Sequence, residues 1–307
     1  MPSRTSAALV VLAALLVGPV GPAPASAQTD ARLPVVASGT VIADLVRNVG
    51  GDSIALRPLA PAGTDPHTFQ PTPDSMQALA RARLAFFNGS GLEEWWGRTV
   101  RSVGRKDLAV VELSRGLATI AMPESPRGGH RHGAGLDPHV WLDPILVKTM
   151  IERIRQALVQ LDPGRAAGYA DRAARFQGKL DELDAWIRAE TAKIPVDRRK
   201  IVTFHNAFQY FAGRYGFAVK GFVVASPGKE PSAKALADLI RRIRQEAVPA
   251  VFSEADFNPK IVESLGREAG VKVVTNLYDG SLSDGPPADT YLAMMRHNVA
   301  SMVGALR

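Results

Sequence analysis

Short runs of β-branched and other apolar residues alternate with helical patterns along most of the chain. Each run ends in a turn, and a helical pattern follows it. Strands that alternate with helices predict a mostly parallel sheet with helices on both faces. About four runs fall on each side of the middle, so we predict an α/β fold of two lobes, each a sheet of about four strands flanked by helices. The runs lie in VVASGTVIADLV, SIALRPLAP, ARLAFFNGS and LAVVELS, and then in KIVTFHNAF, AVKGFVVAS, PAVFSEADF and VKVVTNLYD.

A single long helix is predicted between the two sets of strands, in DPGRAAGYADRAARFQGKLDELDAWIRAETAKIP. Asp162 is a suitable N-cap, Pro163 suits the first helical position, and Pro195 marks the end. The chain is therefore predicted to divide into an N-terminal lobe (28–161), a linking helix (162–194) and a C-terminal lobe (195–307). Apolar residues at spacings of three and four form one stripe along this helix: Tyr169, Ala173, Phe176, Leu180, Leu183 and Ile187.

The first residues are typical of a secretory signal peptide. A basic residue, Arg4, precedes the apolar run AALVVLAALLV, and Ala25, Ser26 and Ala27 form an A-x-A cleavage pattern. We therefore predict a signal peptide at 1–27 and a mature chain that begins near Gln28. The apolar run is shorter than the about 20 residues of a membrane-spanning helix, and no later stretch comes closer. The mature protein is thus expected to be exported and not to span a membrane.

The chain contains no cysteine. We therefore expect neither disulfide bonds, nor thiolate metal sites, nor a lipid-modified cysteine, and a bacterial periplasm is the predicted location. The formal net charge of +7 would by itself suit nucleic-acid binding. The basic residues are, however, scattered along helical sequences such as RRIRQE and RAARFQGK, beside acids, and are not massed in one run with interleaved aromatics. We expect solvated helix faces and no nucleic-acid partner.

Any transition-metal site in this chain must use His, Asp and Glu side chains. His67 follows the strand-like IALRPLAP, His139 lies in the turn before the helix PILVKTMIERIRQALVQL, and His205 ends an apolar strand and directly precedes the helix NAFQYFAGRYG. Asp279 lies in the turn YDGS after the strand VKVVTN. Open α/β sheets bind ligands at the carboxyl ends of strands, so these side chains are predicted to converge between the lobes. Each alone also fits a plainer role as a surface-turn, buried-strand or turn-capping residue; their joint placement indicates the site.

The sequence Asp-Pro-His occurs twice, in TDPHTFQP and LDPHVWLDP. Proline fixes its own backbone and biases the preceding residue towards extended geometry, so each histidine is oriented before a ligand arrives. Asp65 or Asp137 would suit as an acceptor for the second ring nitrogen of its histidine, although turn capping is the simpler role. The aromatic residue two positions on, Phe69 or Trp141, is predicted to pack as a wall around the site.

Five segments extend in combination over essentially the whole mature chain: PAGTDPHTFQPTPDS, LDPHVWLDP, TFHNAFQYFAGRYG, VFSEADF and NLYDGSLSDGPPADTYLAMM. This combination resembles the zinc and manganese substrate-binding proteins of bacterial ABC transporters, the cluster that includes the periplasmic zinc-uptake binding protein. The resemblance implies two lobes joined by one long helix, with a metal ion enclosed between them. Carried over by motif, it implies His67 of DPHTF and His139 of DPHVW as ligands from the N-terminal lobe. The C-terminal lobe would supply His205 of TFHNAF and Asp279 of LYDGS.

The resemblance also bears on which metal is bound. The third ligand is usually a glutamate in manganese-binding relatives, whereas this chain has His205. Three imidazoles and one carboxylate suit tetrahedral Zn²⁺, whereas Mn²⁺ favours oxygen-rich, higher coordination. We therefore predict one Zn²⁺ per chain, with Mn²⁺ as the alternative. Copper and nickel also bind imidazole, and the affinity order does not exclude them.

The predicted function is that of a periplasmic, monomeric protein that captures Zn²⁺ between its lobes and delivers it to an inner-membrane ABC permease, without enzymatic activity. Alternatives are a manganese-binding transporter component and an adhesin or metallochaperone that passes zinc to another protein. A periplasmic zinc donor that loads the site is a further candidate partner. A zinc hydrolase is disfavoured because Asp279 would close the fourth metal position and no HExxH motif is present.

For a few further side chains the sequence supports a role in metal binding less strongly. Glu254 ends the strand AVFSE and is a candidate acceptor behind the metal ligands, or else a capping or ion-paired residue; we leave it outside the ligand set. The glycine-rich segment SPRGGHRHGAG lies where many zinc-binding members carry a long His- and acid-rich loop. It offers His130 and His132 as candidates for weak metal capture, although two histidines in such a loop are more often inert. His297, in AMMRHN, is interpreted as an ordinary helix residue.

Overall fold

The computed structural model describes residues 32–121 and 135–307. The predicted signal peptide (1–27) and the candidate residues His130 and His132 lie outside these ranges. Within them, the strands form two four-stranded parallel sheets, which confirms the predicted α/β fold. No helix in these ranges is both long enough and apolar enough to cross a membrane.

The N-terminal lobe is built on a sheet with the strand order β2-β1-β3-β4. The inner strands β1 and β3 are largely buried, as expected for a sheet covered on both faces. Such sheets bind ligands where the connections from two neighbouring inner strands run to opposite sides of the sheet, here at the carboxyl end of β1. The strands are β1 (Leu33–Ala37), β2 (Ile54–Pro58), β3 (Leu84–Phe87) and β4 (Ala109–Glu112), and the helices are α1 (Thr40–Gly50), α2 (Pro73–Arg81), α3 (Trp96–Val103) and α4 (Pro144–Leu161).

The linking helix α5 (Ala166–Thr191) has 26 residues, and every residue of its predicted apolar stripe is buried. Its start differs from the prediction. A short 3-10 helix precedes α5, and the side chain of Asp162 does not cap it. That carboxylate instead accepts hydrogen bonds from the side chain of Arg165 at 2.8 Å and the hydroxyl of Tyr169 at 2.7 Å. Two local donors thus share Oδ2, and the carboxylate is engaged by side chains instead of the main-chain N–H groups that a capping residue would accept.

The C-terminal lobe repeats the strand order of the first, as β6-β5-β7-β8, although the sequence shows no close internal repeat. The equivalent inner strand is β5, whose carboxyl end is His205. The strands are β5 (Lys200–His205), β6 (Ala218–Val224), β7 (Ala250–Glu254) and β8 (Lys272–Leu277), and the helices are α6 (Gln209–Tyr215), α7 (Ala233–Gln245), α8 (Lys260–Ala269) and α9 (Tyr291–Leu306).

One continuous hydrophobic core runs through both lobes and the linking helix. It includes Val35 and Leu45 of the N-terminal lobe, Leu180 of α5, and Phe211 and Tyr291 of the C-terminal lobe. Two smaller clusters each belong to a single lobe. Residues 32–307 accordingly form a single compact unit. The predicted domain boundaries after residues 161 and 194 therefore stay a prediction.

Candidate metal centre

The four predicted ligand residues lie at strand ends or in loops where the two lobes meet. His67 lies in the loop between β2 and α2, and His139 directly precedes the short 3-10 helix that leads into α4. His205 is the last residue of β5, and Asp279 lies two residues beyond β8. The prediction that a helix directly follows His205 is wrong, because α6 begins only at Gln209, after a turn.

Three imidazole nitrogens and one carboxylate oxygen come together between the lobes. Nε2 of His139 lies 3.1 Å from Nε2 of His67 and 3.3 Å from Nε2 of His205. Nε2 of His205 in turn lies 3.2 Å from Oδ2 of Asp279. A tetrahedral ion with bonds of about 2.0 to 2.1 Å holds its ligand atoms about 3.3 to 3.4 Å apart. The spacing is therefore close to that of ligands that share one ion.

The cluster is shielded from solvent. His139 and His205 are each 2% exposed and Asp279 is 3% exposed, whereas His67 is half-buried. The cavity beside the histidines measures about 20 Å³, which is little more than one water molecule requires. Such a space suits a single ion. Besides the histidines, the cavity is lined by Ser90, Gly91, Leu136, Pro138, Ala225 and Ser226.

Of the two aspartates considered for the second ring nitrogen, Asp137 makes this contact. Its Oδ1 lies 2.7 Å from Nδ1 of His139 and also accepts the main-chain N–H of His139 at 3.0 Å. A proton held on Nδ1 by this carboxylate leaves Nε2 with a free lone pair towards the cluster. Asp65 has the simpler capping role, because its oxygens accept the main-chain N–H of His67 at 2.9 Å and the hydroxyl of Thr68 at 2.8 Å.

Glu254 lies behind His205, at the end of β7. Its Oε1 is 3.2 Å from Nδ1 of His205, and the side chain is 1% exposed. The two atoms are close enough to form an ion pair, but they are not aligned as a hydrogen bond. The carboxylate therefore faces the ring nitrogen that points away from the other three ligand atoms.

The carboxylates near His205 favour positive charge at the centre of the cluster. Burial alone lowers the pKa of His205, but the carboxylates of Asp279 and Glu254 outweigh burial and raise this pKa well above its ordinary value. Burial opposes ionisation of Asp279, yet the charge of His205 outweighs it and lowers the pKa of Asp279 to about 2. Burial and the charges of Asp279 and Glu254 raise the pKa of a nearby acid, Asp256, to about 8. Sequence reasoning did not identify Asp256.

The segment after β3 supports both Asp-Pro-His motifs, a role that sequence reasoning missed. Nδ2 of Asn88 donates a hydrogen bond to the carbonyl of Pro138 at 2.9 Å. Nε1 of Trp95 donates to the carbonyl of Pro66, also at 2.9 Å. In each case the carbonyl belongs to the proline directly before a candidate ligand. One segment therefore fixes the main chain of both motifs.

Glu93 organises this supporting segment. Its buried carboxylate accepts the main-chain N–H groups of Asn88 at 2.9 Å and Gly89 at 3.0 Å, and the hydroxyl of Ser38 at 2.6 Å. Burial nevertheless raises the pKa of Glu93. One sequence feature could have indicated this supporting segment: the polar triplet Asn-Gly-Ser directly follows an apolar strand, at the edge of the sheet where ligand-binding loops lie.

The remaining histidines lie apart from the cluster or outside the described ranges. His297 is on α9, and its Nε2 lies 2.8 Å from the carbonyl of Asn276, which agrees with its interpretation as a helix residue. Metal capture by His130 and His132 stays a prediction.

Two parallel sheets joined by one long helix, with three histidines and an aspartate gathered where the lobes meet, define the class as a two-lobed α/β protein with a candidate metal site between its lobes. The chain belongs to the family of the zinc-uptake complex component A, periplasmic, whose model matches residues 35–305. The family is the substrate-binding component of an ABC transporter, so a permease is the implied partner.

Relatives of known name cover nearly the whole chain. The manganese-binding lipoprotein MntA of Halalkalibacterium halodurans is 31% identical over 300 residues, 97% of either chain. The zinc-binding protein TroA of Treponema pallidum is 33% identical over 286 residues, 91% of either chain. Its solved structure has a TM-score of 0.79 over 90% of this chain and 99% of TroA. The iron-binding protein YfeA of Yersinia pestis is 30% identical over 273 residues, 89% of this chain and 86% of YfeA. Three metals appear in these names, so membership establishes metal binding but not the metal.

Proposed function

We propose that this protein captures Zn²⁺ in the periplasm and delivers it to an ABC permease of the inner membrane. The ligands are His67, His139, His205 and Asp279. One observation carries the proposal: neighbouring ligand atoms of these side chains lie only 3.1 to 3.3 Å apart at the junction of the lobes. We further propose that the chain acts as a monomer after removal of residues 1–27, with a linking segment at 162–194 that contains α5, between lobes at 28–161 and 195–307.

The choice of zinc rests on the ligand types. The spacing alone also fits a six-coordinate ion with bonds of about 2.2 Å, for which adjacent ligands are about 3.1 Å apart. Three imidazoles and a single carboxylate, however, favour Zn²⁺ over Mn²⁺, which prefers more oxygen ligands. The relatives named for manganese, zinc and iron do not decide between these metals.

The same geometry supports binding and delivery instead of catalysis. A catalytic zinc keeps one position open for water or substrate. In the proposed site Asp279 Oδ2, which lies 3.2 Å from Nε2 of His205, would take that position, and the adjoining cavity is only about 20 Å³. We therefore propose that the ion is cargo and that the protein has no enzymatic activity.

Metal content and selectivity test the proposal directly. The protein is purified without an affinity tag, analysed for metals, stripped with a chelator and titrated with Zn²⁺ and Mn²⁺ in competition. We expect one zinc ion per chain that excess Mn²⁺ does not displace. Manganese retained in the presence of equimolar zinc would contradict the choice of metal.

Single substitutions test the ligand set. His67→Ala, His205→Ala and Asp279→Ala should each weaken zinc binding by at least about a hundredfold, because each removes a bond to the ion and leaves the other ligands buried. His297→Ala is the histidine control, since Nε2 of this residue lies 2.8 Å from the carbonyl of Asn276 and its ring packs against Tyr278, outside the proposed ligand set. Equal zinc affinity in the Asp279→Ala variant and the parent would remove Asp279 from the site.

Delivery is tested with the permease. The zinc-loaded protein should bind permease-containing membranes or nanodiscs and transfer ⁶⁵Zn to the transporter. Retention of the ion in that assay, with transfer to a soluble periplasmic protein, would favour a metallochaperone.

A further inference from the structure

The segment Asp279–Leu282 belongs to the C-terminal lobe by sequence, and the Asp279 carboxylate contacts His205 of that lobe, but three other hydrogen bonds of the segment are made with the N-terminal lobe. The carbonyl of Asp279 accepts a hydrogen bond from Nε1 of Trp141 at 2.6 Å. The N–H of Leu282 donates to the hydroxyl of Thr40 at 2.8 Å. The hydroxyl of Ser281 accepts the N–H of Gly63 at 2.9 Å. The segment is therefore docked at three points onto the opposite lobe.

Close packing adds a fourth point of contact. A Cβ atom built on Gly280 would lie 2.7 Å from Cδ of Pro66, the residue directly before His67. The proline ring is rigid and cannot turn aside. Only a glycine therefore allows the segment to lie this close to the first Asp-Pro-His motif.

The preceding residue, Tyr278, is held by its own, C-terminal lobe. Nδ2 of Asn298 on α9 donates to the carbonyl of Tyr278 at 2.5 Å, and Oδ1 of Asn298 accepts the Tyr278 N–H at 2.9 Å. The chain thus passes from contacts within its own lobe to contacts with the other lobe between Tyr278 and Asp279. The position of the Asp279 carboxylate consequently depends on both lobes.

Among the three hydrogen bonds with the N-terminal lobe, the one from Trp141 is made to Asp279 itself. Trp141 is 1% exposed, and its ring centroid lies 5.3 Å from that of His139. Besides the bond from its indole to Asp279, its carbonyl accepts the hydroxyl of Tyr291 at 2.7 Å. Phe69, the aromatic at the matching place in the other Asp-Pro-His motif, has no polar atom and packs against Trp95 at 5.0 Å. The two aromatics therefore differ in role, and only Trp141 bonds to the main chain of a candidate ligand.

We propose that Trp141 is a positioning residue for Asp279: its indole N–H holds the Asp279–Leu282 segment against the N-terminal lobe and so keeps the carboxylate on the metal. The proposal rests on the proposed function, because it takes Asp279 as a metal ligand. Loss of the indole N–H leaves the buried Asp279 carbonyl without this donor and favours the undocked segment. The metal then loses its carboxylate more often and dissociates faster. Loss of the net free energy that one hydrogen bond contributes corresponds to an increase of about threefold to tenfold in the dissociation rate.

Trp141→Phe removes the indole N–H and keeps an aromatic ring. Trp96→Phe is a matched control in the same lobe, because Trp96 is also buried and its Nε1 has no hydrogen-bond partner among the described residues. Zinc dissociation into excess chelator is followed for both variants. We expect the rate to rise about threefold to tenfold in Trp141→Phe and to change less than about twofold in Trp96→Phe.

A double-mutant cycle separates positioning of Asp279 from general packing. In an Asp279→Ala background the carboxylate is absent, so Trp141→Phe should add no further change to the dissociation rate. In addition, Co²⁺ bound to Trp141→Phe should show a visible absorption spectrum shifted towards that of Asp279→Ala. A rate in Trp141→Phe equal to that of the parent, or an equal acceleration in both backgrounds, would overturn the proposal.

Thr40→Val provides a second variant if Trp141→Phe fails to fold. It removes the acceptor for the Leu282 N–H without touching the Trp141 indole, and it should likewise accelerate dissociation only while Asp279 is present. Failure of the proposed function has a different signature: the parent protein would bind neither Zn²⁺ nor Co²⁺, or Asp279→Ala would bind them as the parent does.

Discussion

Replacement of Asp137 by Asn should weaken metal binding without destabilising the metal-free protein. The Asp137 side chain is 0% exposed, and one of its oxygens lies 2.7 Å from the ring Nδ1 of His139 and 3.0 Å from its main-chain N. Asn keeps an acceptor oxygen at this place but loses the negative charge. The imidazole would remain oriented, yet it would be a weaker ligand because its partner no longer polarises the ring.

The magnitude follows from the charge of the acceptor. A hydrogen bond to a charged group contributes about 1.5 to 3 kcal/mol, and one between neutral groups about 1 kcal/mol. The difference of roughly 0.5 to 2 kcal/mol corresponds to about a twofold to thirtyfold loss of metal affinity. In the metal-free protein, removal of a buried charge offsets the weaker bond, since that charge is unfavourable to desolvate. We expect the free energy of unfolding to change by less than about 1 kcal/mol.

Affinity is measured by competition with a chelator, and stability by chemical unfolding with a chelator present. Asp65→Asn is the matched control, because it makes the same substitution in the other Asp-Pro-His motif, where the carboxylate caps the main chain of His67 and binds Thr68. Its affinity should fall by less than about threefold. The reasoning is refuted if Asp137→Asn binds metal as tightly as the parent, or if both variants lose equal affinity.

Three further outcomes are expected. Because the carboxylates of Asp279 and Glu254 raise the pKa of His205 well above its ordinary value, metal binding should release more protons at neutral pH than an ordinary histidine ligand would, and affinity should fall as pH drops through that raised pKa. Calorimetry in buffers of different ionisation enthalpy measures the release, and its absence at pH 7 contradicts the assignment. Glu254→Gln should reduce this release, because one of the carboxylates that raise the pKa of His205 becomes neutral, and an unchanged proton count would exclude that influence. Leu183→Ala on the buried face of α5 should lower the free energy of unfolding, measured by denaturant titration, by about 2 to 5 kcal/mol. Glu182→Ala on the exposed face of the same helix is the control and should change the free energy of unfolding by less than about 0.5 kcal/mol.

Local sequence patterns were sufficient to predict the fold and to predict that the four candidate ligands lie close together. The apolar stripe from Tyr169 to Ile187 marks one face of a single helix, and that face is buried in the structure. His205 ends a buried strand, and strand ends on the inner side of a parallel sheet lie at its ligand-binding edge. These inferences needed only periodicity and the position of a residue within its own element.

Contacts between distant segments could not be predicted in the same way. The bond from Asn88 to Pro138 joins residues 50 positions apart, and the bond from Trp141 to Asp279 joins residues 138 positions apart. Both pair a side chain with a main-chain carbonyl, and such acceptors occur at every residue, so no residue type marks the partner. Trp141 was therefore predicted to be only part of the wall of the site, although its indole N–H contacts the main chain of a candidate ligand.

The cost of breaking these contacts decides which part of the metal-free protein opens first. The Asp279–Leu282 segment is docked by three hydrogen bonds, which at about 1 kcal/mol each leave it undocked in roughly 1% of molecules. Separation of the lobes would break the same bonds and also expose Trp141 and Tyr291, which are 1% and 0% exposed, at about 1.5 to 3 kcal/mol each. Because one continuous core crosses both lobes, undocking of the segment is the less costly movement. If Trp141 positions Asp279 as proposed, release therefore begins with loss of the carboxylate, which leaves the ion on three histidines for transfer to the permease.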